Sequence, residues 1–350
     1  MKIAIIYNSK STTHSGSWAI PWKEYCDENN VEYEMVDEAK LNLIDHLLQF
    51  NLVLWHFSGF NYAHMMFSRS ILYSLQSAGV EVFPGYNEAW HFDDKVAESF
   101  LLQSIGASIP KYFFFMDKEE AIKWTNNGAD FPIVAKLKNG SGSHNVKIMN
   151  NKNDAKNYIE KMFSTGYESN PSIVFKSTSN LKSAKSLNVL FKRVKRIPEF
   201  LRNYSKSKLF PNEKNYVYFQ EFIQNDGFDL KVVVIGDKLS FIARNVRKGD
   251  FRASGGGDLF YDKSLITQQI IDSAFEVCDK LKIKCMGFDY VVDKTNGLGK
   301  IVEMSYGFSS QALLESGGYF DRQGNWFDTE LNAPHEVIKS FQNSIASKKE

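Results

Sequence analysis

Phe131-Pro-Ile-Val-Ala-Lys136-Leu-Lys-Asn-Gly140-Ser141-Gly142-Ser143-His-Asn-Val146 is the stretch from which the fold can be read outward. An apolar run, Phe131–Leu137, is followed by a polar turn of small residues, and a second run opens over Asn145–Met149. Such a loop can lay backbone N–H groups over phosphate oxygens, because glycine has no Cβ to block the approach. Lys136 adds a point charge beside it. The stretch lacks the Gly-Lys-Ser/Thr ending of a P-loop, and no Gly-x-Gly-x-x-Gly opens a helix here. By itself it suits a plain β-turn equally well.

On the C-terminal side, Tyr216–Phe222 reads as a strand that leaves through Gln220-Glu221-Phe222-Ile223 into a short apolar linker. Backbone groups there could face the edge of an adenine, and Asp229 could accept hydrogen bonds from ribose hydroxyls. An edge strand with surface acids is the simpler reading of that stretch alone. Asp229–Ile235 and Leu239–Arg244 read as strands turning at Gly236-Asp237. Leu265–Leu281 reads as a long helix, and Pro334–Ser347 as another. Gly287-Phe-Asp289-Tyr-Val-Val292 and Ile301-Val-Glu303-Met-Ser305-Tyr-Gly-Phe308 each set a carboxylate within an apolar β-pattern. If those strands pair, Asp289 and Glu303 lie side by side and repel unless something neutralises them. Mg²⁺ is the natural neutraliser, a hard cation with oxygen ligands often shared with phosphates. A solvent-facing pair of acids is the alternative. Arg244, Arg247, Lys248 and Arg252 cluster ahead of Ser254-Gly255-Gly256-Gly257, within and just before the glycine-rich loop Phe251–Gly257. Arginine stabilises phosphoryl charge and glycines permit a lid to move, although a flexible basic loop explains them too.

On the N-terminal side, short β-rich runs at Lys2–Tyr7, Val31–Val36, Asn51–His56 and Val80–Phe83 alternate with helical stretches at Ala19–Glu28 and Met65–Ala78. That alternation predicts a small parallel α/β sheet. A ligand crevice is expected at its carboxyl edge, near Asn8–Gly16 and Ser58–His64, where ordinary connecting loops are the plain alternative. Asp93–Ile105 reads as an amphipathic helix capped by Asp93 or Asp94 and ended by Gly106.

Composition bounds the rest. The 350 residues suggest two or three domains. With 43% hydrophobic and 24% charged residues, wholesale disorder is excluded. A net charge of +1 argues against a dedicated nucleic-acid binder. The charge is uneven, however: Lys176–Lys214 carries eleven bases against two acids, a local charge of +9. That segment could attract an anionic substrate, or be a solvated helical insertion. Cys26, Cys278 and Cys285 form no Cys-x-x-Cys pair, which argues against a disulfide framework or structural zinc. No run approaches the roughly 18 apolar residues of a membrane span, and the N-terminus lacks a signal-peptide pattern. A cytoplasmic location is the expectation.

The order of these patterns resembles the ATP-grasp superfamily, most closely the branch of the ribosomal-protein glutamate ligases, over roughly Asp93–Phe308. The motifs are Asp93-Asp94-Lys95, the stretch 131–146, Tyr218–Ile223, Gly249–Gly257, Gly287–Tyr290 and Ile301–Ser309. The resemblance implies an N-terminal parallel α/β domain (residues 1–92) ahead of a two-subdomain fold of α/β (α+β) class, with ATP between two sheets. Residues 93–214 would form the central or lid subdomain, with a basic insertion at 176–214, and residues 215–350 the C-terminal one. Lys95 and Lys136 match the lysines that contact ATP phosphates, and Gly140, Ser141, Gly142 and Ser143 the loop that covers them. Glu221, Phe222 and Ile223, with Gln220 before them, match the adenine hinge, and Asp229 the ribose ligand. Arg252 matches the arginine near the γ-phosphate, and with Lys136 would be catalytic. Asp289 and Glu303 match two Mg²⁺ ligands. Ser305 stands where the family usually has asparagine, so one metal position would be weaker or water-bridged. Lys231, Arg244, Arg247 and Ser254 are candidates for substrate contact.

The implied chemistry is ATP-dependent carboxylate–amine ligation through an acyl-phosphate, with ATP and two Mg²⁺ ions as cofactors. The implied partners are a small-molecule or glycan carboxylate and an amine, with no nucleic acid. A regulatory nucleotide-binding protein and a carboxylate–thiol ligase are the alternatives, and a homodimer stays open.

Overall fold

The computed structural model describes residues 1–8, 17–59, 61–140, 145–169, 209–246 and 258–347. Ser141, Gly142, Ser143, Arg247, Arg252 and Ser254 lie outside these residues. So do most of the basic segment, the stretch Ile173–Lys176, which reads in sequence as a strand, and nearly all of the Asn8–Gly16 loop. None of the helices among the described residues is long and apolar enough to cross a membrane.

The N-terminal elements are β1 (Ile3–Tyr7), α1 (Ala19–Glu28), β2 (Tyr33–Asp37), α2 (Leu43–Leu47), β3 (Leu52–Leu54), α3 (Tyr62–Ser77), β4 (Glu81–Phe83) and α4 (Tyr86–Ala89). Their strands form the expected parallel sheet, ordered β2-β1-β3-β4. Ile3, Ala4, Ile5 and Ile6 are all buried, which is why β1 reads as a continuous apolar run rather than an alternating one.

The central elements are α5 (Lys95–Ser104), β5 (Tyr112–Phe115), α6 (Lys118–Asn127), β6 (Ile133–Lys136), β7 (Val146–Met149), α7 (Lys152–Met162), β8 (Tyr167–Glu168), β9 (Asn212–Glu213) and β10 (Val217–Glu221). Four of the strands make an antiparallel sheet, β5-β10-β6-β7, and β8 pairs with β9. Side chains alternate across each strand. Ala135 and Phe219 therefore share a core with Ala121 of α6 and with Ala155, Ile159 and Met162 of α7. Val134, Lys136, Tyr218 and Gln220 are left on the opposite face.

The C-terminal elements are β11 (Phe228–Ile235), β12 (Lys238–Asn245), β13 (Leu259–Phe260), α8 (Gln268–Leu281), β14 (Cys285–Val292), β15 (Gly299–Ser305), α9 (Ser310–Leu314), β16 (Tyr319–Phe320), β17 (Trp326–Phe327) and α10 (Ala333–Ser347). They build a seven-stranded sheet, β15-β14-β11-β12-β16-β17, with β13 also on β12. The β11–β12 hairpin turns at Gly236-Asp237 as expected, and Gly236 takes the positive φ of +57° that such a turn needs. Leu230, Val232, Val234, Phe288 and Tyr290 pack with Ile270 and Ala274 of α8. The other face divides lengthwise: Val233, Ile235 and Cys285 join the core of the N-terminal sheet, while Asp229, Lys231 and Asp289 form a charged patch.

Two assignments differ from the expected boundaries. Strand β10 lies after residue 214, yet it belongs to the central sheet, hydrogen-bonded to β5 on one side and β6 on the other. Helix α5 lies after residue 93, yet its Leu102 packs into the core of the seven-stranded sheet. Strand β5 and helix α6 are additions to the sequence reading. The β5 run of aromatics has no polar alternation to mark it, and α6 fully buries just Ala121 and Thr125, too thin a stripe to show as periodicity.

Helix α10 closes the N-terminal core. Trp22 is fully buried, sits edge-on to Trp18 and Phe83, and its Nε1 donates to the Pro334 carbonyl at 3.0 Å. Trp22→Phe keeps most of the apolar contact but removes that bond and leaves part of the indole's volume unfilled. The expected loss is about 1–3 kcal/mol of stability, read as a lower urea midpoint at unchanged slope. An unchanged midpoint would remove the bond from the account of how the two ends are joined.

Candidate active site

The polar face of the central sheet and the charged patch of the large sheet face each other across a cleft. Nine of the residues singled out by sequence line it: Lys95, Lys136, Gln220, Glu221, Phe222, Ile223, Asp229, Asp289 and Glu303. Strand register accounts for much of this. Tyr218 lies opposite Lys136, and Gln220 opposite Val134, so all four share one face, from which Val134, Lys136 and Gln220 line the cleft. Across the large sheet, Arg244 opposes Asp229, and Lys231, Asp289 and Glu303 stand in one row over three strands. Strand β10 is flanked on both sides and Asp229 is buried, so the edge-strand reading with surface acids does not hold.

The charges in the patch are paired. Arg244 donates from Nε to Asp229 Oδ1 at 2.8 Å and from Nη2 to Asp229 Oδ2 at 2.5 Å, and reaches Asp289 Oδ1 at 3.0 Å. Lys231 Nζ lies 2.6 Å from the same Asp289 oxygen. Gly287 makes room for that contact, because a Cβ there would come within 3.3 Å of the Lys231 chain. Burial opposes the charge on Asp289 most strongly, but Arg244 and Lys231 outweigh it and hold the carboxyl below its ordinary range. Burial pushes Asp229 up to about 6 against the pull of Arg244. Arg244 and Lys231, candidates for substrate contact, are thus engaged with carboxylates here.

Lys95 opens α5, whose N-cap Asp94 accepts from the Ala97 N–H at 3.0 Å. Its Nζ donates to the Gly140 carbonyl at 2.6 Å and lies 3.6 Å from Glu303 Oε1. Burial works against its charge, yet Glu303, Asp93 and Glu98 together raise its pKa. Lys136 differs. Its Nζ donates to Gln220 Oε1 at 2.6 Å, and burial lowers its pKa to about 8. The Gln220 amide donates to Tyr218 OH at 3.2 Å, and that hydroxyl meets Ser99 Oγ of α5 at 2.7 Å. A hydrogen-bonded chain therefore ties the Lys136 strand to the Lys95 helix.

The loop after β6 is held from below. Glu213 accepts from the N–H groups of Lys138 and Asn139, both at 2.9 Å, and Asp93 accepts from the Gly140 N–H at 3.2 Å. Gly140 has φ +125°, and a Cβ on it would sit 2.6 Å from Asn145 Nδ2. Sequence reading counted Glu213 merely as an acid within a basic segment and Asp93 as a possible cap. It also missed the apolar walls, Val134, Val146, Val291 and Val302. At the hinge, Glu221 Oε1 accepts from Lys300 Nζ at 2.8 Å and from the Lys111 N–H at 2.9 Å, while Phe222 and Ile223 face the cleft.

Asp289 and Glu303 offer hard oxygen donors directly opposite each other, which suits Mg²⁺. Ser305 is placed differently: its Oγ accepts from the Gly307 N–H at 3.0 Å and donates to the Gly307 carbonyl at 3.2 Å. Among the described residues, no three His, Cys, Asp or Glu side chains converge on one point. The donors therefore fit a cation shared with phosphates and water, rather than one enclosed by protein.

Residues 137–309 match the RimK-like ATP-grasp domain. Among curated proteins, none matches the chain in sequence. Solved structures do resemble it. A RimK domain ATP-grasp protein from Sphaerobacter thermophilus is 14% identical, with 97% of this chain and 98% of that one covered and a TM-score of 0.53. A D-alanine–D-alanine ligase from Bacillus anthracis, complexed with ATP, is 14% identical over 91% of this chain and 90% of that one, TM-score 0.53. A Chryseobacterium gregarium RiPP-associated ATP-grasp ligase, in complex with ADP and a leader and core peptide, is 12% identical over 98% and 97%, TM-score 0.55. At such identities the likeness speaks to the fold.

The depressed pKa of Lys136 has a measurable consequence. Binding an anion needs the ammonium form, which is complete well below about 8 and is lost progressively as the pH rises through it. A bound phosphate stabilises that form and moves the loss upward. ADP affinity should therefore fall between pH 8 and 10, by up to about tenfold per unit. In Lys136→Arg, which stays charged, that fall should disappear. A wild-type profile flat across this range would remove Lys136 from phosphate binding.

Proposed function

Because the chain carries a RimK-like ATP-grasp domain within an ATP-grasp fold, we propose that it is a ligase that joins a carboxylate to an amine at the expense of ATP, through an acyl-phosphate. The observation that carries this reading is the cleft itself. It sets two buried lysines on one side, two facing carboxylates on the other, and a hinge with apolar walls between them. The relatives' activities, among them D-alanine–D-alanine ligation, support an amide product.

In this reading Val134, Val146, Val291 and Ile223 take the adenine plane, and the backbone at Glu221–Ile223 meets its edge. Lys95 and Lys136 hold phosphate oxygens and stabilise the charge that spreads during transfer. When bound, Mg²⁺ held by Asp289 and Glu303 would supply charge neutralisation and in-line alignment of the phosphates. Fixing the acyl donor against ATP accounts for a large share of the expected rate, because the step becomes effectively intramolecular. No covalent nucleophile on the protein is required. Arg252 is proposed to stabilise the transferring group, and the glycine-rich loop to exclude water from the acyl-phosphate.

The +9 segment supports an anionic acid substrate, such as a sugar acid or glycan carboxylate. The peptide complex of the RiPP-associated relative supports a peptidic one instead. The engagement of Ser305 with Gly307 favours a second reading, nucleotide binding without turnover. A cytoplasmic location is proposed for either.

The test is incubation with ATP, Mg²⁺ and pooled acids and amines, with products resolved by mass. The expected result is ADP together with a new mass equal to acid plus amine less water. Tight ATP binding with no ADP formed under any pool would favour the second reading, and AMP would overturn the acyl-phosphate route. Lys136→Ala should lower turnover by about 10²–10³-fold. Wild-type turnover and ATP affinity in that variant would overturn its assigned role.

A further inference from the structure

Strand β15 carries Glu303 and is the outer strand of the seven-stranded sheet, so backbone donors on its free side need partners from elsewhere. It is also irregular. Asp289 opposes Glu303 but Tyr290 opposes Ile301, so Val302 is an extra residue in a β-bulge. A bulge breaks the alternation of side chains and can re-aim one of them. Here it lets Val302 and Glu303, neighbours in sequence, both face the cleft. A bulge also disrupts the ladder that would otherwise fix the strand.

Two outer bonds bracket this bulge. On one side the Ile301 N–H donates to the Ser108 carbonyl at 2.8 Å. On the other the Met304 N–H donates to Glu98 Oε2 at 3.1 Å, a buried bond between residues 206 apart in sequence. Glu98 is 2% exposed and lies one turn beyond Lys95 on α5. Its other oxygen, Oε1, is buried with no hydrogen-bond partner. An acid so placed needs a reason, because burying a carboxyl is costly. Burial, with the nearby Glu303 charge, raises its pKa well above the ordinary carboxylate range.

We infer that Glu98 is a positioning residue: by gripping the Met304 amide it fixes the bulged strand against α5, and so sets Glu303 within reach of Lys95 and opposite Asp289. The inference rests on the nucleotide and Mg²⁺ reading of the cleft. It assigns α5 two tasks, presenting Lys95 to the phosphates and holding the strand that presents its carboxylate partner.

Two measurements on Glu98→Ala and Glu98→Gln test it. The first is hydrogen exchange at the Met304 amide without ligand. Glu98→Ala should lose protection there by roughly tenfold or more, while Glu98→Gln, whose amide oxygen still accepts, should keep it. The second is ADP binding by calorimetry with and without Mg²⁺. The strengthening that Mg²⁺ brings should shrink by roughly tenfold in Glu98→Ala and survive in Glu98→Gln. If Glu98→Ala does not fold, Glu98→Leu fills the volume without an acceptor and takes its place. Unchanged protection in the variant lacking an acceptor would overturn the inference, as would equal damage in Glu98→Gln. Wild-type chain that binds no ADP would overturn the nucleotide reading, and this role with it, whatever the exchange result.

Discussion

A charge taken out of water must find an opposite charge or a dense set of hydrogen bonds. The cleft is organised by that requirement. Arg244 answers both Asp229 and Asp289, Lys231 answers Asp289, and Lys95 answers Glu303. Strand register brings most of these groups together, and α5 brings the last. The arrangement also makes the cleft ready to exchange partners. On the function proposed above, an anion would take up the lysines and a cation the carboxylates, so that no charge would be left bare while a ligand enters. Removing one member of a buried pair strands the other, whereas exchanging it for a ligand does not.

The parts of the cleft that were legible in sequence are those whose polarity contradicts their surroundings. Asp289 and Glu303 interrupt apolar strands, and the structure sets them opposite each other. Lys136 ends an apolar strand just before a small-residue loop, and it lies buried in the cleft. The parallel N-terminal sheet was legible because strands covered on both faces cannot hide their apolar runs. The two-residue β11–β12 turn was legible because glycine relieves the positive φ that the turn demands.

What escaped the sequence depends on contacts between distant residues. Val302 and Glu303 face the same way through a bulge, and no periodicity announces one. Glu213 holds the loop after β6 from 75 residues away, and in sequence it is one acid among many bases. Ser305 Oγ meets both the N–H and the carbonyl of Gly307, a turn contact that its place in the strand does not announce. Helix α5 and strand β10 crossed the expected boundaries because packing and pairing, rather than chain order, decide which sheet an element joins.

The N-terminal core is completed by residues far along the chain, Pro334 lying 312 positions after Trp22. Trp22 bonds to Pro334 and Tyr25 to Gln342, and Val337, Ile338 and Phe341 fill the same apolar cluster as Ile3 and Leu54. On the ribosome, the first strands therefore emerge long before the helix that covers them. At about 5–20 residues per second, the interval is tens of seconds. During it an apolar surface waits for contacts that local structure cannot supply. The nascent chain would need that surface shielded by a chaperone or by provisional packing, and the N-terminal core would close only once α10 had emerged, rather than by growth outward from its own strands.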